Sequence, residues 1–284
     1  MTAGKPTPSS AAAGRTLRIG DGKVSTAPAV GSVDSCQTAF APPSPSTSAP
    51  WIHPDGTWDP TAKPAVNGSV VWPQADYSVT LDNDTRTLTT NDLPVGGRTG
   101  AFSAAAAATG SGGATGSAAI RPQTYRFILP ASPVIREQPA CLPLGAIGVL
   151  NDGVLLYDAL DAQGRDAVAH EIQDWCGGHP ETSGAYHFHD VSTCFAVPLP
   201  FPAPVPDRPE LIGYALDGFG IYIDRDSSGH LLTNADLDVC HGRTSLIPWD
   251  GKEVVMYHYD VTAAYPYTTG CFRGSGSGSA WNNH

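Results

Sequence analysis

The sequence predicts a mainly β domain of antiparallel or mixed strands, with long loops, one or two short helices and three disulfides. Three observations carry that expectation. Gly (31) and Pro (26) supply about a fifth of the 284 residues, a composition that starves helices and feeds turns. Apolar residues reach 41% against only 15% charged, enough for a sizeable core and against wholesale disorder. Cys36, Cys141, Cys176, Cys194, Cys240 and Cys271 are scattered without a C-x-x-C pair. That pattern points to disulfides and an oxidising compartment rather than a zinc finger or a thioredoxin motif.

Taken in order, residues 1–30 read as a flexible leader of Ala, Ser, Pro, Thr and Gly. Residues 31–274 read as the β domain and 275–284 as a Gly/Ser tail. Tyr77, Val79 and Leu81 alternate with Ser78, Thr80 and Asp82, which predicts a half-buried strand returning through a turn at Asp82-Asn83-Asp84. The tract 103–119 is of low complexity, and a loop is expected there. A strand follows at 124–130. In 144–160, two apolar runs flank Asn151-Asp152-Gly153, which is strong hairpin chemistry. Val168, Ile172 and Trp175 predict a short amphipathic helix over 165–175. Further strands are expected at 186–189, 211–223 and 253–260, the first two separated by a Pro-rich loop at 198–209.

The net charge of −11 comes with no Lys/Arg cluster, so a nucleic-acid partner is not expected. No apolar run approaches the roughly 18 residues needed to cross a bilayer, so no membrane span is expected. The first residues lack an apolar signal region. We therefore expect a leader removed ahead of this start, and a secreted, periplasmic or extracellular location. No G-x-S-x-G and no Gly-rich phosphate loop after a strand is present.

The segment Tyr186-His187-Phe188-His189-Asp190 is the most informative. On a strand, alternate side chains share a face, so His187 and His189 project together while Tyr186 and Phe188 enter the packing. Tyr257-His258-Tyr259-Asp260 repeats the alternation. If the two strands adjoin, His187, His189, His258 and Asp260 converge on one divalent transition metal, with copper or zinc favoured and calcium as an alternative. His179 and His241, each next to a cysteine, are additional candidate ligands or simple loop anchors. Asp217 lies at an Asp-Gly in an apolar stretch; it is either an ordinary turn residue or a buried general acid or base. Tyr222 either donates a proton or packs. Glu171 and Asp174 read as solvated carboxylates unless their helix faces the histidines.

In order along the chain, TRTLTTNDLP, LPLGAIGVLNDGV, CGGHPETSGAYHFHD, LIGYALDGFGIYI, LDVCHG and YHYDVTAAYPYTTGCFRG resemble the YHYH-domain family over roughly residues 86–274. Phe188 replaces the second Tyr of the naming tetrad, Asp260 stands where a relative would often carry His, and Gly96, Gly97 and Arg98 fill a region where a His is expected. The resemblance implies a secreted, single-domain protein and fits metal binding, but supplies no substrate. Six cysteines can pair in several ways; nearest neighbours in motif context give Cys176–Cys194, Cys240–Cys271 and Cys36–Cys141. The leading expectation is a metal-binding exterior protein, with an enzymatic role on a small molecule or polymer left open. A glycan-binding module presenting Trp51, Trp58, Trp72 and Trp249 is the second reading. The third is a structural protein with calcium at Asp82-Asn83-Asp84 and Asp224-Arg225-Asp226.

Overall fold

The computed structural model describes residues 16–42, 49–102, 119–192, 194, 208–275 and 279–282. Its largest element is an eight-stranded sheet. The strands are β1 (Ala146–Leu150), β2 (Leu155–Tyr157), β3 (Gly178–Pro180), β4 (Tyr186–Phe188), β5 (Glu210–Ala215), β6 (Gly220–Ile223), β7 (Gly242–Trp249) and β8 (Lys252–Asp260). Their spatial order is β3-β4-β2-β1-β5-β6-β8-β7. Neighbours are antiparallel except β2·β4 and β6·β8, which are parallel. The fold is mainly β, and all three expected disulfides are present: Cys36–Cys141, Cys176–Cys194 and Cys240–Cys271.

A second sheet orders Ser279–Asn282, Tyr125–Pro130, Thr85–Thr90 and Tyr77–Asp82. Its Leu88, Phe127 and Leu129 pack against Val149, Tyr214, Tyr222 and Trp249 on one face of the large sheet. The opposite face buries Ile147, Leu156, Tyr186, Phe188, Tyr257 and Tyr259 with segments from the first third of the chain. The hairpin at Asn83 forms as expected, with that residue at φ 49. Its first strand, however, is exposed from Ser78 onward. It is the sheet's outer strand, and the buried layer ends at Arg86, Leu88 and Thr90 of its neighbour.

Three expectations are corrected. Residues 16–30 are not a free leader: Leu17–Arg18 pairs with Thr57–Trp58, and Gly20 donates its amide to the buried Asp166 carboxylate at 2.8 Å. Within the tail, Ser279–Asn282 extends the second sheet. The helix, α1, spans only Ala167–His170, capped by Asp166. It stops because the chain turns extended at Glu171 and pairs with a neighbouring segment, Val66 donating to the Gln173 carbonyl at 2.9 Å. Most of the 103–119 tract and of the Pro-rich loop lies outside the described residues.

The large sheet nearly repeats itself about the β1·β5 junction, where Val149 faces Tyr214. Both inner hairpins carry I-G-x-x-x-D-G, at 147–153 and 212–218, and each leads on to D-x-C-x-G, at 174–178 and 238–242. Asp174 Oδ1 accepts the amides of Cys176 (2.9 Å) and Gly178 (3.2 Å), while Asp238 Oδ1 accepts those of Cys240 (2.9 Å) and Gly242 (3.1 Å). Tyr186 donates its hydroxyl to Asp174, and Tyr257 donates to Asp238. The outer registers also correspond. Gly178 pairs with Phe188 and His179 with His187; Gly242 pairs with Tyr259 and Arg243 with His258. Thus His179, His187 and His189 in one half occupy the places of Arg243, His258 and Asp260 in the other.

Candidate metal centre

The turn between β3 and β4 sets the first half's site. Glu181 donates its amide to the Ala185 carbonyl at 2.9 Å, and Gly184 adopts φ 93, a left-handed conformation that suits glycine. This hairpin puts His179 opposite His187, two residues from His189 along the same strand direction. Tyr186 and Phe188 point the other way into the core. All three imidazoles are buried. The chain leaving α1 adds Glu171, whose Oε2 lies 3.0 Å from His179 Nε2 and 3.1 Å from His189 Nε2. His187 Nε2 lies 3.2 Å from His189 Nε2.

Backbone carbonyls fix which nitrogens face inward. His187 Nδ1 is 3.3 Å from the Ala185 carbonyl and His189 Nδ1 is 2.5 Å from that of Asp158. A carbonyl can only accept, so both Nδ1 atoms carry protons and both Nε2 atoms are left to act as ligands. Asp158 is itself held by the amides of Leu160 and Gly145. The Tyr157 ring stacks on His187 with centroids 3.9 Å apart. Lys63 donates to the Val168 carbonyl and to Gln173 Oε1 (2.8 Å), bracing the chain on both sides of Glu171.

Burial and mutual repulsion among His187, His179 and His189 drive the His187 pKa well below the ordinary imidazole value. Burial opposes the charged form of Glu171, but His179 and His189 overcome it and hold that carboxyl well below the usual range. Burial also works against a charged His189, yet Glu171 and the Asp158 carbonyl outweigh it and move that imidazole upward. Asp158 and Asp190, both desolvated, are each pushed up to about 7.

His258 and Asp260 do not join this site, contrary to the shared-strand expectation. Between β4 and β8 lie β2, β1, β5 and β6, so five strand spacings separate them by about 24 Å. Spacing within a strand was readable; the strands' neighbours were not. In the second half, Arg243 pairs with Asp224, and its Nε lies 3.4 Å from Asp260 Oδ2. His258 Nε2 lies 3.3 Å from the same oxygen. Asp224, His258 and Asp260 group closely enough to hold a cation, but a guanidinium is already among them.

The remaining candidates have structural settings. Asp217 accepts from the Tyr259 hydroxyl (2.6 Å) and from the amides of Gly274 (2.6 Å) and Phe219 (3.2 Å). Its partners are thus a phenol and two amides, not the expected histidine or metal, and burial raises its pKa. Tyr222 donates to the Pro248 carbonyl at 2.7 Å and packs edge-on against His258. His241 has its ring nitrogens on the Thr268 carbonyl and Asn234 Oδ1, both at 3.0 Å, so neither faces a metal. Trp51, Trp58 and Trp249 are buried, which removes the aromatic platform. Asp226 accepts the amides of Ser228 and His230 as a turn anchor, and Asp224 pairs with Arg243.

Glu171, which reads from the sequence as solvated unless its helix faces the histidines, does meet them: it sits against His179 and His189. A better clue was the P-E-T-S-G turn joining His179 to the Tyr186 strand, which makes a hairpin and brings His179 opposite His187. Residues 126–231 match the family model described as YHYH protein. No curated protein and no solved structure matches the chain. The YHYH stretch contains His179, His187, His189 and Glu171 and stops short of β7 and β8. It is narrower than the span of the motif resemblance.

Proposed function

We propose that this is a secreted metal-binding protein in which His179, His187, His189 and Glu171 hold one divalent transition-metal ion, copper or zinc. One observation carries the reading. Glu171 Oε2 and His179 Nε2 are buried and 3.0 Å apart, yet neither is aligned for a hydrogen bond. Orphaned buried polar atoms are costly. Lone pairs directed at a common third atom account for the closeness and the misalignment together. Separations of 3.0, 3.1 and 3.2 Å also match the roughly 3.0–3.4 Å between adjacent ligands around an ion with bonds of about 2.0–2.1 Å. Three imidazoles and a carboxylate are a donor set for zinc or copper.

When bound, the ion would supply Lewis acidity, and for copper a redox couple. The chain's own part is to present Nε2 lone pairs through the Ala185 and Asp158 carbonyls and to set one negative charge among them. The three disulfides support an oxidising exterior compartment.

Element-resolved metal content and calorimetric titration with Zn2+ and Cu2+ test this. Wild type should take up one equivalent, while His187→Ala and His189→Ala should each lose at least a hundredfold in affinity. His230→Ala, altering an exposed side chain, should match wild type. Wild-type protein that binds neither ion would overturn the proposal.

A further inference from the structure

The two halves present equivalent scaffolds with different chemistry at their ligand positions. In the second half His258 keeps the place of His187, while Arg243 stands for His179 and Asp260 for His189. Asp224 adds a carboxylate, as Glu171 does in the first half. Tyr222 meets His258 edge-on where Tyr157 stacks on His187. His258 Nδ1 faces the Met256 carbonyl at 3.1 Å, two residues back, just as His187 Nδ1 faces that of Ala185. This orients Nε2 inward again. Asp260 is fully buried, and neither of its carboxylate oxygens makes an aligned hydrogen bond. Two buried carboxylates without a cation would be strongly unfavourable. Among the described residues, the guanidinium paired with Asp224 and approaching Asp260 is that of Arg243.

We infer that the Asp224–Arg243–His258–Asp260 cluster is a second copy of the metal centre in which the Arg243 guanidinium occupies the cation position. The chain therefore binds one ion, and exchanging Arg243 for the imidazole of its counterpart opens a second, carboxylate-rich site for a divalent transition metal. The inference rests on the metal reading of the first site only for its count of one.

Zinc content after equilibrium dialysis, with folding checked by circular dichroism, decides it for wild type, R243H, R243H/H258A and R243H/H187A. Expected values are one, two, one and one equivalents. A folded R243H that stays at one would overturn the inference. So would wild type holding two ions, one of them lost in H258A, because the guanidinium would then not fill the cation position. If wild type held none while R243H held one, the first-site proposal would fall and the second-site inference would stand. Should R243H not fold, R243Q serves instead. It leaves Asp224, His258 and Asp260 facing an empty cation position, so added zinc should raise its melting temperature even in an H187A background. No such rise would count against the inference.

Discussion

Two halves of one sheet solve the same electrostatic problem differently. Each brings a histidine and at least one carboxylate together in a buried place beside a tyrosine. The first half keeps three imidazoles around Glu171 and leaves buried polar atoms without an aligned hydrogen bond. Its counterpart holds a fixed guanidinium between Asp224 and Asp260. On the proposed reading, one site takes a cation from solution, while the other carries its own. The scaffold therefore fixes where ligands sit, and two positions along it decide what they hold.

The largest expected effect is on the self-neutralised side. Arg243→Met leaves Asp224 and the fully buried Asp260 without their cation. Removing one partner of a buried pair costs roughly 3–5 kcal/mol, with the lower end expected because Arg243 is 31% exposed. Urea denaturation in chelator should show the loss; a change under about 1 kcal/mol would mean that the guanidinium matters little to the cluster.

A second contrast lies in the turns before the two ligand strands. Gly177 and His241 share a left-handed backbone, at φ 85 and φ 71. His241 bears that strain because its ring is anchored on Thr268 and Asn234. Burial depresses its pKa to about 4, below the roughly 6.5 of an unfolded histidine. Between those values the unfolded chain binds more protons, so stability is full above about pH 6.5 and falls as pH drops toward 4. The loss is on the order of 3 kcal/mol. His241→Gly, copying the other half, should flatten that limb in chemical melts at pH 4.5 and 7; an unchanged slope would assign the acid sensitivity elsewhere.

Metal linkage separates the halves next. Zinc at a hundred times its dissociation constant for wild type should stabilise wild type by about 2.7 kcal/mol and H187A by about 0.4 kcal/mol at most. Stabilisation surviving in H187A but lost in H258A would reverse the roles given to the two halves. The smallest effect concerns the ring stacked on His187. Tyr157→Leu should weaken zinc binding by about tenfold through looser imidazole orientation, with little change in overall fold; calorimetry would register it, and an unchanged affinity would make Tyr157 a packing residue alone.

The β class, the hairpins and the disulfides were legible because turn chemistry and cysteine context are local. Asn151-Asp152-Gly153 and Asn83 mark their turns regardless of what lies beyond. The common face of His187 and His189 was legible for the same reason. Strand neighbourhood was not, since parallel pairing of β4 with β2 and of β8 with β6 depends on crossovers that leave no local signature. Glu171 was hidden by a helical pattern that breaks off one residue before it. The internal repeat went unread: I-G-x-x-x-D-G and D-x-C-x-G recur only once each at wide spacing, and it took the strand registers to align His187 with His258 as counterparts rather than as co-ligands.

The placement of the two clusters at opposite flanks of the sheet has a consequence for how the protein changes. They have no side chain in common, and about 24 Å of packed strand lies between them. Substitutions that far apart with no common partner usually sum within about 0.5 kcal/mol. Either cluster can therefore gain, lose or exchange its ligands without retuning the other, and a double variant across the sheet should behave as the simple sum of its parts.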